Sequence, residues 1–342
     1  MLFLPHSRRG RIALAATAGL AAAAALGATA QATTPTAAKA APQAAAALPS
    51  GMAAPYLYLG WGTPPSATSV MSATGIKQFT MAFMLSDGGC NPKWDGSRAL
   101  TGGTDQSTIN AIRNAGGDVT VSFGGWSGNK LEEKCTSASA LAGAYQKVIN
   151  AYQLKSIDID IEASAVENST VRKRTVDALK IIKTNNSAVK VYITFGTTPT
   201  GPDSNGKDLI KKGAAAGLNA DAWAVMPFDY DQGAVDMAAT TKSAVDGLKN
   251  DVAGAYGLSS DAAYRKVGFS SMNGITDSAG EKVTLANFKS MVSYATSHHL
   301  ARVSYWSVNR DRKCGSGTDP DACSGITQNA WDFTKALAVY TG

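Results

Sequence analysis

Three carboxylates alternate with isoleucine in the run Asp158-Ile159-Asp160-Ile161-Glu162. On a β-strand, alternate side chains share a face. The acids therefore point one way, and Ile157, Ile159 and Ile161 the other. Stacked carboxylates one strand period apart do not all ionise cheaply, so at least one is expected to hold a proton near neutral pH. Such a proton suits general acid catalysis by Glu162, with Asp160 and Asp158 moving charge along the row. The run alone also fits a solvated acidic edge, or a hard-cation site built from carboxylates.

Three further segments carry residue types that can hold a ligand. In Ser122-Phe123-Gly124-Gly125-Trp126, the paired glycines allow backbone and ligand to approach closely, and Trp126 offers an indole that can stack on a sugar ring. Met226-Pro227-Phe228-Asp229-Tyr230 brings an acceptor and a phenol close together. Trp306, in Tyr305-Trp306-Ser307, offers an apolar floor for a pyranose. Each suits core packing equally well, because aromatic residues dominate protein interiors. Histidine is nearly absent: the chain has only His6, His298 and His299. A Ser-His-Asp triad, a Cys-His pair and a three-histidine zinc site thereby lose their main ingredient.

These segments need a scaffold that brings them together. Strand-like runs lie at 56–61, 78–85, 118–124, 156–162, 190–196, 222–229, 267–272 and 302–308, with amphipathic segments between them. In one of these, Leu285, Phe288, Val292 and Ala295 share a helical face; in another, Asn168 is placed to cap a helix. Eight strands alternating with about eight helices predict an α/β fold, a (β/α)8 TIM barrel. An open doubly wound sheet is disfavoured, since no Gly-x-Gly-x-x-Gly follows the first strand. In a barrel the chemistry belongs at the carboxyl ends of the strands, where the segments above fall.

The amino terminus reads differently. Arg8, Arg9 and Arg11 precede an Ala-rich apolar stretch with small residues near Ala30, the pattern of a secretory signal peptide over 1–30. An Ala/Pro/Thr-rich flexible leader is expected over 31–54 and a single catalytic domain over 55–342. The chain has 342 residues and a formal charge of +6, three of it on those arginines, so +3 remains on the rest. That is too mild to argue for nucleic acid. Four cysteines in an exported chain favour two disulfides. Cys314–Cys323 would close a short loop, and Cys90–Cys135 would tie the loops after two neighbouring strands.

With these motifs in order on successive strands, the sequence resembles glycoside hydrolase family 18, the chitinase family, from Tyr56 to Gly342. Ser-x-Gly-Gly stands at Ser122–Gly125, Asp-x-Asp-x-Glu at Asp158–Glu162, Met-x-aromatic-Asp at Met226–Asp229, and the last-strand Trp at Trp306. The resemblance implies a secreted monomer acting on chitin or N-acetylglucosamine-containing oligosaccharides by a retaining, substrate-assisted route. It implies Glu162 as acid and then base, Asp160 orienting the substrate acetamido group, and Asp158 tuning Asp160, with no metal and no cofactor needed. Tyr230 and Asp229 would hold the acetamido group, and Trp306, Met226, Trp126, Gly125 and Ser122 would bind sugar. The pattern departs from the family at Lys155 and Ser156, where Asp and Gly are usual, and at Phe228, where Tyr is usual. Two other readings use the same residues: an endo-β-N-acetylglucosaminidase on N-glycans, and a non-catalytic chitin-binding lectin. Retention of Glu162 speaks against the lectin.

Overall fold

The computed structural model describes residues 51–316 and 319–342. The expected signal peptide and most of the expected leader lie outside the described residues. Eight parallel strands form the barrel, and the first is in two pieces. They are β1 (Met52–Ala53 and Tyr56–Tyr58), β2 (Gln78–Ser86), β3 (Asp118–Gly124), β4 (Ser156–Asp160), β5 (Lys190–Gly196), β6 (Ala222–Met226), β7 (Val267–Met272) and β8 (Arg302–Trp306). Each neighbour along the chain is also the neighbour in the sheet. The two pieces of β1 close the cylinder: Met52 and Ala53 pair with Arg302 and Val303 of β8, and Tyr56 to Tyr58 pair with Thr80 to Ala82 of β2. The barrel thus begins inside the expected leader. A two-residue strand piece in an Ala-rich stretch has no periodicity to reveal it.

The principal helices are α1 (Ala67–Thr74), α2 (Gly103–Asn114), α3 (Ala138–Tyr152), α4 (Ser169–Asn185), α5 (Ser204–Ala215), α6 (Met237–Tyr256), α7 (Leu285–His298) and α8 (Asp332–Ala338). Asn168 caps α4 as expected, its side chain accepting from the N–H groups of Thr170 and Val171. At α7 the cap is reciprocal: Thr284 accepts from the Asn287 N–H, and Asn287 accepts from that of Thr284. Phe288, Val292 and Ala295 are buried on one face of α7, as the periodicity requires.

Alternation on the strands separates two interiors. Ile157, Ile159, Val191, Ile193 and Phe195 point outward and join the apolar layer beneath the helices, together with Leu179, Ile182 and Leu209. Each such aliphatic side chain contributes roughly 1.5–3 kcal/mol by leaving water. The inward positions are mostly polar: Thr80, Thr120, Ser122, Ser156, Asp158, Thr194, Arg302 and Ser304 are all buried. They bond to one another, for example Thr120 Oγ1 with Ser156 Oγ at 2.6 Å. Unpaired polar groups in such a place would be costly.

Both expected disulfides are present. Cys90–Cys135, with Cα atoms 4.7 Å apart, ties the loop after β2 to the loop after β3. Cys314–Cys323, 5.0 Å apart, closes the loop after β8. No helix among the described residues is long and apolar enough to cross a membrane.

Candidate active site

Asp158 lies at the centre of the barrel with no exposed surface. Four donors from four strands converge on its carboxylate. Tyr56 and Ser122 each donate a hydroxyl to Oδ2 at 2.7 Å, Thr194 donates to Oδ1 at 2.8 Å, and the Arg302 guanidinium also meets Oδ1. Arg302 continues to Thr80 Oγ1 at 3.0 Å and lies over the rings of Tyr56 and Tyr192 at 5.7 and 5.1 Å. A saturated, buried and paired carboxylate is neither a solvated edge nor free to ligate a cation. Among the described residues, no three of His, Cys, Asp and Glu gather as a metal site would require.

Asp160 is one strand period nearer the mouth and also buried, but its Oδ1 has no hydrogen-bond partner. Burial, followed by the charges of Glu162 and Asp158, holds its carboxyl well above the usual carboxylate range. Glu162 lies two residues past the end of β4, at the N-cap of a short helix, Ala163–Glu167. Burial pushes its pKa up to about 7; the Lys130 ammonium opposes that rise, and Asp229 and Asp158 reinforce it. Both carboxyls are thereby biased toward the protonated form and titrate as a pair.

The glycines after β3 are dictated by what passes them. Gly124 has φ +94°, and a Cβ there would run into the Asp160 carbonyl. At Gly125, φ is +84° and a Cβ would come within 2.8 Å of the Phe83 ring. The Gly125 N–H also donates to the Asp160 carbonyl at 2.8 Å, locking the β3 loop to β4. Phe83 stacks on Trp306, with centroids 5.5 Å apart and planes 13° from parallel. Tyr56 and Tyr58 complete this aromatic cluster in the barrel mouth. Trp126 stands 72% exposed on the lip, and Trp61 stands 51% exposed beside Tyr58.

No family model matches the chain. The chain is 26% identical over 313 residues to the probable bifunctional chitinase/lysozyme of Escherichia coli strain K12, covering 86% of this chain and 35% of that protein. It is 26% identical over 278 residues to Endochitinase 11 of Metarhizium anisopliae, covering 77% of this chain and 53% of that protein. The chain thus spans between a third and about half of these relatives' own lengths. The catalytic domain of the hyperthermophilic chitinase from Pyrococcus furiosus superposes with a TM-score of 0.75 at 26% identity, over 84% of this chain and 93% of that one. In sequence and in fold the chain is similar to these chitinases.

Most of the expected site residues lie at the barrel mouth, and three of them, Ser122, Gly125 and Tyr230, are turned toward protein neighbours. Ser122 is fully buried and spends its hydroxyl on Asp158, so it positions that carboxylate. Gly125 is likewise buried, against Phe83. Tyr230 packs in the layer between strands and helices, with its hydroxyl buried near Thr240 of α6. No hydrogen bond joins it to the carboxylate row among the described residues. The reason is local: Asp229 and Asp231 on either side adopt positive φ, 55° and 56°, so the chain reverses and turns the phenol outward. Asp229 itself faces the site electrically, acting on Glu162, while its Oδ1 accepts the Ser278 N–H at 3.0 Å. Met226 ends β6 opposite Gly196. Lys155 is exposed and pairs with Asp118 at 3.2 Å, at the opposite end of the barrel from Glu162.

Four residues escaped the sequence reading. Arg302 and Tyr56 could have been found by applying to β8 and β1 the alternation used for β4, since they share faces with Trp306 and Tyr58. Phe83 and Lys130 have no such signal: a register shift between Met81 and Met84 of β2 breaks the alternation at Phe83, and Lys130 lies in the loop after β3.

Proposed function

We propose that this chain is an endo-acting glycosidase on β-1,4-linked N-acetylglucosamine polymers, chitin and chito-oligosaccharides, and that Glu162 is its acid and base. The observation that carries this reading is the position of Glu162: at the barrel mouth, past the end of β4, in line with a buried carboxylate that has a free oxygen, with burial pushing its pKa up to about 7. The names of the relatives agree with that substrate.

In this reading the Glu162 proton passes to the glycosidic oxygen as the C1–O bond breaks. The carbonyl oxygen of the substrate's own acetamido group closes onto C1, giving an oxazolinium ion. Asp160 receives the acetamido N–H on the oxygen that has no protein partner, and so orients the nucleophile. Asp158, fixed by Arg302, Tyr56, Ser122 and Thr194, sets the charge that Asp160 experiences. Water then attacks C1 as the oxazolinium C1–O bond breaks and restores the acetamido group, Glu162 takes the water's proton, and configuration is retained. Trp306 and Phe83 form the apolar floor beneath the sugar, with Trp126 on the rim.

The test is incubation of the purified protein with chito-oligosaccharides and, separately, a high-mannose glycoprotein, alongside Glu162→Gln. Cleavage of the first substrate by the wild type alone supports the reading. Cleavage of the glycoprotein only would move the substrate to N-glycan cores. Equal cleavage by the mutant, or none by the wild type, would sink it.

A further inference from the structure

Lys130 lies between β3 and the short helix Leu131–Lys134, and its side chain is almost wholly removed from solvent at 3% exposure. An ammonium is seldom buried without compensation. Its hydrogen bond within the protein runs from Nζ to the Ser127 carbonyl at 2.5 Å, which leaves two of its three donors uncommitted.

The segment it starts packs on the short helix that Glu162 caps, where the Ser164 hydroxyl donates to Glu133 at 2.7 Å, and four carboxylates act on the ammonium without a direct ion pair: Glu162, Asp160, Glu132 and Glu133. Two of these are already engaged. Glu132 accepts the Tyr145 hydroxyl at 2.5 Å, and Glu133 accepts the Ser164 hydroxyl at 2.7 Å. Glu162 and Asp160 receive no side-chain donor among the described residues, and Glu162 is the one that acts most strongly on the ammonium. The segment is also held in place. Arg174 of α4 donates to the carbonyls of Glu132 and Cys135 at 2.9 and 2.7 Å, and the Cys90–Cys135 disulfide anchors its far end.

We propose that Lys130 is a positioning residue for the reaction, a fixed cation that stabilises the carboxylate left on Glu162 once its proton has gone to the leaving group. The proposal rests on the reading of Glu162 as acid and base. Lys130 stays an ammonium throughout: the proton leaves Glu162 for the glycosidic oxygen and returns from the attacking water. The other charges facing Glu162 are Asp229 from the loop after β6 and Asp158 and Asp160 from β4; Asp160 carries Arg302 and Lys130 as its cations.

Lys130→Gln removes the charge while keeping a donor for Ser127, and Lys130→Arg keeps the charge. Two measurements on the full chain apply: the ¹³C titration of the Glu162 carboxyl, assigned by its absence in Glu162→Gln, and the pH profile of kcat/KM on a chito-oligosaccharide. In Lys130→Gln the Glu162 midpoint and the alkaline limb are both expected to move up by about one to two pH units, with a lower kcat. In Lys130→Arg both stay near wild type. If Lys130→Gln does not fold, Lys130→Met is measured in its place. An unmoved midpoint in a folded, charge-free variant overturns the proposal. Wild-type protein that titrates as expected but cuts no chito-oligosaccharide overturns the assignment of function instead.

Discussion

Glu162→Gln should make the protein more stable at alkaline pH while removing its proposed activity. Glu162 ordinarily titrates near 4.5 and is pushed up to about 7 in the fold. Below pH 4.5 the group is protonated in both folded and unfolded chains and contributes nothing. Between about 4.5 and 7 the unfolded chain releases the proton and the folded chain keeps it, so stability falls as pH rises. Above 7 the full penalty applies. Two and a half pH units at 1.36 kcal/mol each set a ceiling of roughly 3 kcal/mol, and solvent screening at the barrel mouth brings the expectation to about 1–2 kcal/mol. Glutamine has nearly the same volume and no charge, so it should recover that amount. It also relieves Asp160, which is held up by the Glu162 charge, so the measured difference belongs to the pair. Urea unfolding of both proteins at pH 4, 6 and 8.5, disulfides intact and followed by tryptophan fluorescence, gives the comparison. The reasoning fails if the two proteins differ by the same amount at pH 4 and pH 8.5, or if the mutant is the less stable at pH 8.5.

Other residues give sharper structural tests. Arg302→Met leaves Asp158 buried and unpaired, and should cost about 3–5 kcal/mol in thermal or urea unfolding, whereas an exposed ion pair would cost under about 1 kcal/mol. Tyr230→Phe should leave kcat/KM close to wild type, because its hydroxyl is buried near Thr240; a large loss of kcat would return Tyr230 to the acetamido site. Replacing Cys90 and Cys135 by Ser opens a link across 45 residues and should cost roughly 4 kcal/mol, while the 9-residue Cys314–Cys323 link should cost roughly 2.5 kcal/mol; the order of the two melting temperatures checks this.

The sheet was legible because alternation and strand length are local properties. Three strands, Asp118–Gly124, Lys190–Gly196 and Val267–Met272, have the ends expected from sequence. Others stop short at their carboxyl ends, at Tyr58, Asp160, Met226 and Trp306, although the side-chain pattern runs on. Those are the places where the chain leaves the ladder to build the site, and apolar alternation does not record where hydrogen bonding ceases. Glu162 is the clearest case: it continues the strand's alternation yet belongs to a helix cap. The partners of the acids were less legible. Ser122 looked like a ligand contact because it sits in a glycine-rich turn, but its inward position on β3 delivers it to Asp158, its directly paired residue on β4. Tyr230 looked like a site residue because it follows Asp229, but two left-handed residues turn it away.

The charges inside the barrel explain why the acid row is tolerated and why it can work. Asp158, Asp160 and Glu162 bring three potential negative charges into a largely buried column. Arg302 at the base is paired to the first, and Lys130 at the mouth faces the other two. Two cations against three carboxyls leave an excess of one negative charge, and one retained proton removes it. Asp229, beyond the row, raises Glu162 further and favours that proton at the mouth. A buried column that is neutral only when it carries one proton has reason to keep one at neutral pH, and the Asp160–Glu162 pair is where it resides. Removing Arg302 therefore affects folding first, since the charge it balances has no route to solvent. Removing Lys130 affects proton affinity first, since the charge it balances is one that Glu162 can shed by taking up a proton.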